Sequence, residues 1–144
     1  MAQKIEEKTV SAIVDYNLVG IADEGYDGPD KPVSPNEVNN WFSTCAGNVY
    51  LESEETIVHA EMHFETWDGP AEFDASAWHR SDVIVQEWQS GELALDQIAA
   101  GATPGVYRLP SPGPWHMRLA WRDEPAPEPD ELPWASVLVQ FWRA

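Results

Sequence analysis

Basic residues are scarce. Lys and Arg together number 8 against 25 acidic residues, giving a formal net charge of −17, and no Arg occurs before position 80. Phosphate binding depends on Lys and Arg displacing counterions, so this balance argues against a nucleic-acid partner. It argues equally against an anionic membrane surface. Cysteine is nearly absent: Cys45 is alone. No internal disulfide can therefore form, which favours a reducing, cytoplasmic setting. No apolar run approaches the roughly 20 residues needed to span a bilayer, and no charged segment followed by an apolar stretch opens the chain as a signal peptide would. Also missing are a His-Glu-x-x-His pair, a Gly-x-Ser-x-Gly elbow, a phosphate loop and a dinucleotide fingerprint. These absences lower the enzyme reading, and no catalytic residue is assigned.

What is present points to a packed domain. The 144 residues are 43 % hydrophobic and include eight Trp, enough for one domain over 1–144 with a sizeable core. Trp brings large apolar area and one N–H donor, so it serves cores and interfaces alike. Charge is uneven. Residues 1–79 hold three Lys and sixteen acids, whereas residues 80–144 hold five Arg and nine acids, so the N-terminal half carries most of the negative field.

Period-two alternation dominates the chain and marks half-buried strands. Across Gly113–Arg122, Trp115, Met117, Leu119 and Trp121 share one face, with His116, Arg118, Ala120 and Arg122 on the other. Thr9–Leu18, Asn48–Ser53, Thr56–Trp67, Ser81–Trp88, Glu92–Ile98, Val106–Leu109 and Trp134–Trp142 read as further strands. The last has apolar residues on both faces, which fits a central, doubly covered strand. Residues 1–8 read as frayed, 23–40 as a long exposed loop and 99–105 as a loop. Ser34-Pro35-Asn36-Glu37 has the capping-box pattern of a short helix over Pro35–Trp41. Arg122–Pro133 is Pro-rich and acidic and reads as an extended loop. The fold expected is all-β, an antiparallel β-sandwich of about seven to eight strands with one short helix.

Three constellations could carry chemistry. His59-x-Glu61-x-His63 puts two imidazoles and a carboxylate on one strand face, about 6.6 Å apart between neighbours; such a set suits zinc or iron. The alternative is a solvated polar face. The loop Asp23-Glu24-Gly25-Tyr26-Asp27-Gly28-Pro29-Asp30 offers oxygens for calcium, although its spacing is not that of an EF-hand. With Glu37, Glu52, Glu54 and Glu55 it also makes a negative patch suited to a basic protein, for which Tyr26, Trp41 and Tyr50 would be aromatic anchors. Arg108, Arg118, Arg122 and Arg143, with His116, would converge if the last strands are neighbours, either to grip an anion or to pair with the surplus of acids. Cys45 reads as a structural thiol.

The run Leu109-Pro110-Ser111-Pro112-Gly113-Pro114-Trp115-His116-Met117-Arg118-Leu119-Ala120-Trp121-Arg122-Asp123, followed by the acidic Pro-rich loop and Val137–Ala144, resembles the ending of small acidic all-β proteins of high-GC bacteria. Trp121 stands where a Gly is common in them, and Arg143 where Pro is common. More distantly, the layout is similar to the competence-associated nuclease inhibitor family. That resemblance implies a protein-binding role, with acids of the N-terminal half facing a basic enzyme, and it carries over no catalytic residue. The leading expectation is a non-enzymatic, cytoplasmic immunity or inhibitor protein that masks a basic toxin or nuclease, with no cofactor. The alternatives are a metal- or small-molecule-binding sandwich that uses His59, Glu61 and His63, and a structural subunit of a larger assembly.

Overall fold

The computed structural model describes residues 1–28, 31–128 and 131–144. Among the described residues there are ten strands: β1 Lys4–Val14, β2 Leu18–Asp23, β3 Phe42–Cys45, β4 Asn48–Glu52, β5 Val58–Trp67, β6 Arg80–Trp88, β7 Glu92–Gln97, β8 Gly101–Arg108, β9 Gly113–Glu124 and β10 Trp134–Arg143. They form two five-stranded sheets, ordered β1-β5-β10-β9-β6 and β3-β4-β2-β7-β8. The fold class is thus the all-β sandwich expected, with more strands than alternation alone suggested. The chain divides into two compact units assembled from distant segments. The first comprises 1–11, 59–86 and 114–144, and the second 12–58 and 87–113.

In the first unit, the alternating residues of three neighbouring strands build the buried face. Ala60, Met62 and Phe64 of β5, Trp115, Met117, Leu119 and Trp121 of β9, and Val137, Val139 and Phe141 of β10 are all fully or almost fully buried. β10 is the middle strand, and Leu138, Gln140 and Trp142 on its other face are buried as well. The cover on that side is the segment 68–79, which contains a single turn of 3-10 helix at Ala75–Ala77. Gln140 Nε2 donates to the Glu72 carbonyl, and Arg118 and Arg122 donate to the carbonyls of Ala71 and Ala77. Trp67, Ala71 and Trp142 form a small apolar cluster under this strap, joined by Ala2. In the second unit, Val19 and Ile21 of β2, Val49 and Leu51 of β4, and Leu93 and Leu95 of β7 make the equivalent buried face.

Several boundaries differ from expectation, each for a physical reason. The sheets are antiparallel-rich but not wholly antiparallel: β10 runs parallel to β5, with Trp134 opposite His59 and Phe141 opposite Thr66. The long stretch of chain between those two strands permits a parallel crossover, which a hairpin cannot make. Residues 4–8 are strand rather than frayed end. Lys4 pairs with Glu7 and Glu65, and the Gln3 N–H donates to the Asp68 carboxylate. The first strand ends at Val14, because Tyr16 and Asn17 adopt φ of 50° and 66° and turn the chain. β3 was not expected, and β8 covers residues read as loop; as the last strand of its sheet it tolerates Pro104. The helix expected over Pro35–Trp41 is one 3-10 turn, Pro35–Val38, and the Ser34 side chain makes no capping bond.

Candidate functional site

The structure distributes the acids named above over three roles. Asp23 is buried, 4 % exposed, and its carboxylate accepts from the backbone N–H groups of Gly25, Gln89 and Ser90 and from the Ser90 hydroxyl. It ties the end of β2 to the turn before β7 and offers no free charge. Glu24, Asp27, Glu37, Glu54 and Glu55 are exposed, Glu52 is half-buried, and Asp30 lies outside the described residues. Glu24 accepts from the Gly105 N–H at 3.1 Å. Among the aromatics, Tyr26 is half-buried over Gly47, whose φ is 74° and whose Cβ, if it had one, would lie 2.5 Å from the Tyr26 ring. Trp41 is half-buried edge-on to Phe42. Tyr50 is half-buried beside Gly20 and Asp96, and burial, then the Asp96 charge, raises its phenol above the ordinary value.

These acids do not form one patch. β2 and β4 pair antiparallel, with Leu18 opposite Glu52 and Ala22 opposite Asn48. The 23–27 acids and the 52–55 acids therefore sit at opposite ends of the pair, about 17 Å apart at the rise of a strand. They are two separate negative surfaces.

The outer face of β5 in the first unit carries the His/Glu set, and each imidazole already has partners. His59 Nε2 lies 3.0 Å from Glu61 Oε1, and the His59 ring stacks on Trp134 at 3.9 Å. His63 Nδ1 lies 2.6 Å from Thr9 Oγ1, and its Nε2 lies 3.1 Å from Glu65 and 3.3 Å from Glu7. Among the described residues, no group of three or more His, Cys, Asp or Glu side chains is arranged to hold a metal ion. The strand spacing aims His59, Glu61 and His63 in parallel, and each pairs with its nearest neighbour instead of converging on a common point.

Beside this face lies an open cleft of about 400 Å³, lined by Thr9, Glu61, His63, Trp78, Arg122 and Leu138 among others. Arg118 and Arg122 form one wall of the face, on β9. Arg118 lies 4.4 Å from the Phe73 ring and 5.1 Å from the Trp142 ring and donates to Gln140 Oε1 at 2.9 Å. Arg122 stacks on Trp78 at 4.5 Å and pairs with Glu124. Arg118, Arg122 and Arg143, three arginines of the first unit, do not converge on one point. Arg108 belongs to the second unit, 3.9 Å from Glu92, and Arg143 lies over Trp115 at the end of β10. Lys4, Phe73, Trp78 and Gln140 are the members of this face that alternation did not single out. The alternation of Gln140 with Leu138 and Trp142 was the one signal available.

Two carboxyls on this face are held below their ordinary range. For Glu61 the cause is the hydrogen bond with His59, then that from Ser11. For Glu65, burial pushes the carboxyl up, but hydrogen bonds from Gln140, Trp67 and Lys4 outweigh it and the net direction is down. A depressed folded-state pKa contributes stability that is present above the unfolded value and lost as pH falls through the folded one. Stability is therefore expected to decline below about pH 4.5, the ordinary value for Glu, and Glu65→Gln is expected to flatten that decline. Urea denaturation at pH 7 and at pH 3–4 checks it: an equal loss on acidification in both proteins would remove Glu65 from the account.

No family model matches the chain, and no curated protein matches it. Solved structures do. ComJ of Bacillus subtilis, the inhibitor of the DNA degrading activity of NucA, superposes with a TM-score of 0.67 over 100 % of this chain and 99 % of that chain, at 10 % identity. The crocagin biosynthetic gene J protein superposes with a TM-score of 0.59 over 96 % of this chain and 99 % of that chain, at 12 % identity. The architecture is shared from end to end. At these identities the likeness is one of fold.

Proposed function

We propose that this chain is a non-enzymatic, cytoplasmic binding protein that inhibits a basic protein such as a nuclease or a toxin. The observation that supports this most is the pairing, in one chain, of the whole ComJ architecture with a net charge of −17. The fold alone fits many roles. The charge selects among them, because a strongly negative surface attracts a basic partner at long range and speeds encounter. The exposed acids Glu24 and Asp27 at one end of the second unit, and Glu54 and Glu55 at the other, would supply the field.

Charge steering predicts a definite kinetic pattern. The pairs Glu24→Gln/Asp27→Asn and Glu54→Gln/Glu55→Gln are tested separately for association with the basic partner across ionic strengths. The pair that faces the partner is expected to slow association at low salt by roughly three- to tenfold and to flatten its salt dependence. Unchanged rates for both pairs would count against the steering account.

A second reading, a metal- or small-molecule-binding site, has the cleft beside His63 and Glu61 behind it. Zinc or iron titration of the purified chain with and without His59→Ala tests it. No stoichiometric uptake, or uptake unaffected by the substitution, would remove the metal form.

A further inference from the structure

Tyr16 occupies a backbone conformation that suits it poorly. Asp15-Tyr16-Asn17-Leu18 is a tight turn closed by the Leu18 N–H on the Asp15 carbonyl at 3.0 Å. Its two central residues have φ of 50° and 66°. Positive φ at both central positions defines a type I′ turn, whose preferred residues are Asn, Asp and Gly. Asn17 meets that preference. Its Nδ2 donates to the carbonyls of Ser53 and Glu54, and its backbone bonds to Thr56 and Ser53. Tyr16 does not meet it, since a bulky side chain is disfavoured in the left-handed region. Burial does not offset the strain, because Tyr16 is 67 % exposed.

The surroundings of Tyr16 are equally unusual. Ile57 and Ile98, at 41 % and 43 % exposed, lie in the two adjoining turns. Asp15, Tyr16, Thr56, Ile57 and Ala99 line a cleft of about 310 Å³. The Asp15 carboxylate accepts the Ala99 N–H through both oxygens, at 3.1 and 3.2 Å, which fixes the third turn against the first. Glu54 and Glu55 are exposed on the rim. None of the three turns, 15–18, 53–57 and 97–100, contains a basic residue.

We infer that this apex of the second unit is the docking surface for a basic protein, with Tyr16 and Ile57 entering an apolar notch on the partner and Glu54 and Glu55 meeting Lys or Arg around it. An exposed aromatic anchor inside a charged rim is the arrangement that concentrates interface energy. The rim decides the occupant: a second copy of this chain would bring the same acids face to face, whereas a basic surface neutralises them. The inference rests on the inhibitor reading and narrows it to one end of one unit.

Site-specific photo-cross-linking separates the two claims. Tyr16→p-benzoylphenylalanine is compared with the same replacement at Val38, exposed in the 3-10 turn Pro35–Val38 of the second unit, and at Val83 of β6 in the first unit. Each protein is irradiated in native lysate at low salt. The expected result is an adduct from position 16 with one protein of pI above about 9, suppressed by added salt, and none from 38 or 83. With that protein purified, Tyr16→Asn is expected to weaken affinity at least about tenfold while the melting temperature holds or rises, since Asn suits the turn. Ile57→Ser is expected to weaken affinity similarly without touching the turn. Undiminished affinity in both variants overturns the inference. A basic adduct from 38 or 83 but not from 16 overturns it and leaves the inhibitor reading standing. An adduct at twice the chain mass assigns the apex to self-association and overturns it too. No basic adduct from any position removes both.

Discussion

Asp23→Ala is expected to lower the melting temperature by about 10 °C. The Asp23 carboxylate is 4 % exposed and accepts from three backbone N–H groups, those of Gly25, Gln89 and Ser90, as well as from the Ser90 hydroxyl. Hydrogen bonds to a charged acceptor contribute about 1.5–3 kcal/mol each at most, and donors left buried without a partner cost a comparable amount. Some of these donors regain water after truncation, so a net loss of about 3 kcal/mol is expected, which corresponds to roughly 10 °C in a domain of this size. Asp23→Asn keeps one acceptor oxygen and is expected to lose about half as much. Asp27→Asn, at an exposed position four residues on, is expected to stay within about 0.5 kcal/mol. Thermal melts of the three variants decide the matter. Equal melting temperatures for the Asp23 and Asp27 variants would mean that Asp23 is a surface acid after all and available to a partner.

Arg118→Ala is expected to cost about 2–4 kcal/mol and to release the strap over the first unit. The guanidinium lies between the Phe73 and Trp142 rings and bonds Gln140 and the Ala71 carbonyl. A partly desolvated cation on an aromatic face is worth about 1–2 kcal/mol, and the charge-assisted bond to Gln140 adds about the same. Truncation also leaves Gln140 Oε1 buried without this donor, in a network where Gln140 Nε2 serves both Glu65 and the Glu72 carbonyl. Arg118→Lys is not expected to rescue it, because an ammonium group cannot stack between two rings and bond sideways at once. Hydrogen exchange is the sharper readout: protection across 69–79 should fall while that of the central strands β9 and β10 holds. Unchanged protection over 69–79 would show that the strap does not depend on Arg118.

Much of this architecture was legible in the residues. Trp115, Met117, Leu119 and Trp121, and Ala60, Met62 and Phe64, are buried as their alternation implies, because one face of a strand must be covered whatever covers it. β10 reads as doubly covered and is. What alternation does not carry is pairing. It gave no sign that β10 lies parallel to β5, since side-chain period is the same in both directions. It also ran the first strand through Tyr16 and Asn17, whose apolar and polar characters fit the period while their backbone does not. Residues 4–8 looked too polar to be ordered, and it is partners distant in sequence, Glu65 and Asp68, that hold this end. For the site, the acids were visible as types but not as places. Sequence cannot separate Asp23, which holds two turns together, from Asp27, which faces solvent, because both sit in the same Gly-rich stretch. Arg118 and Gln140 gained their roles only when register brought them opposite each other.

The proposed inhibition of a basic protein by binding can be tested directly. The most direct measurement is a titration of the purified chain against the basic protein that it retains from native lysate at low salt, following that protein's own activity, DNA degradation if it is a nuclease. Activity is expected to be abolished at an equimolar ratio and to return as added salt dissociates the pair. Full activity at severalfold excess of the chain, at low salt, would contradict it.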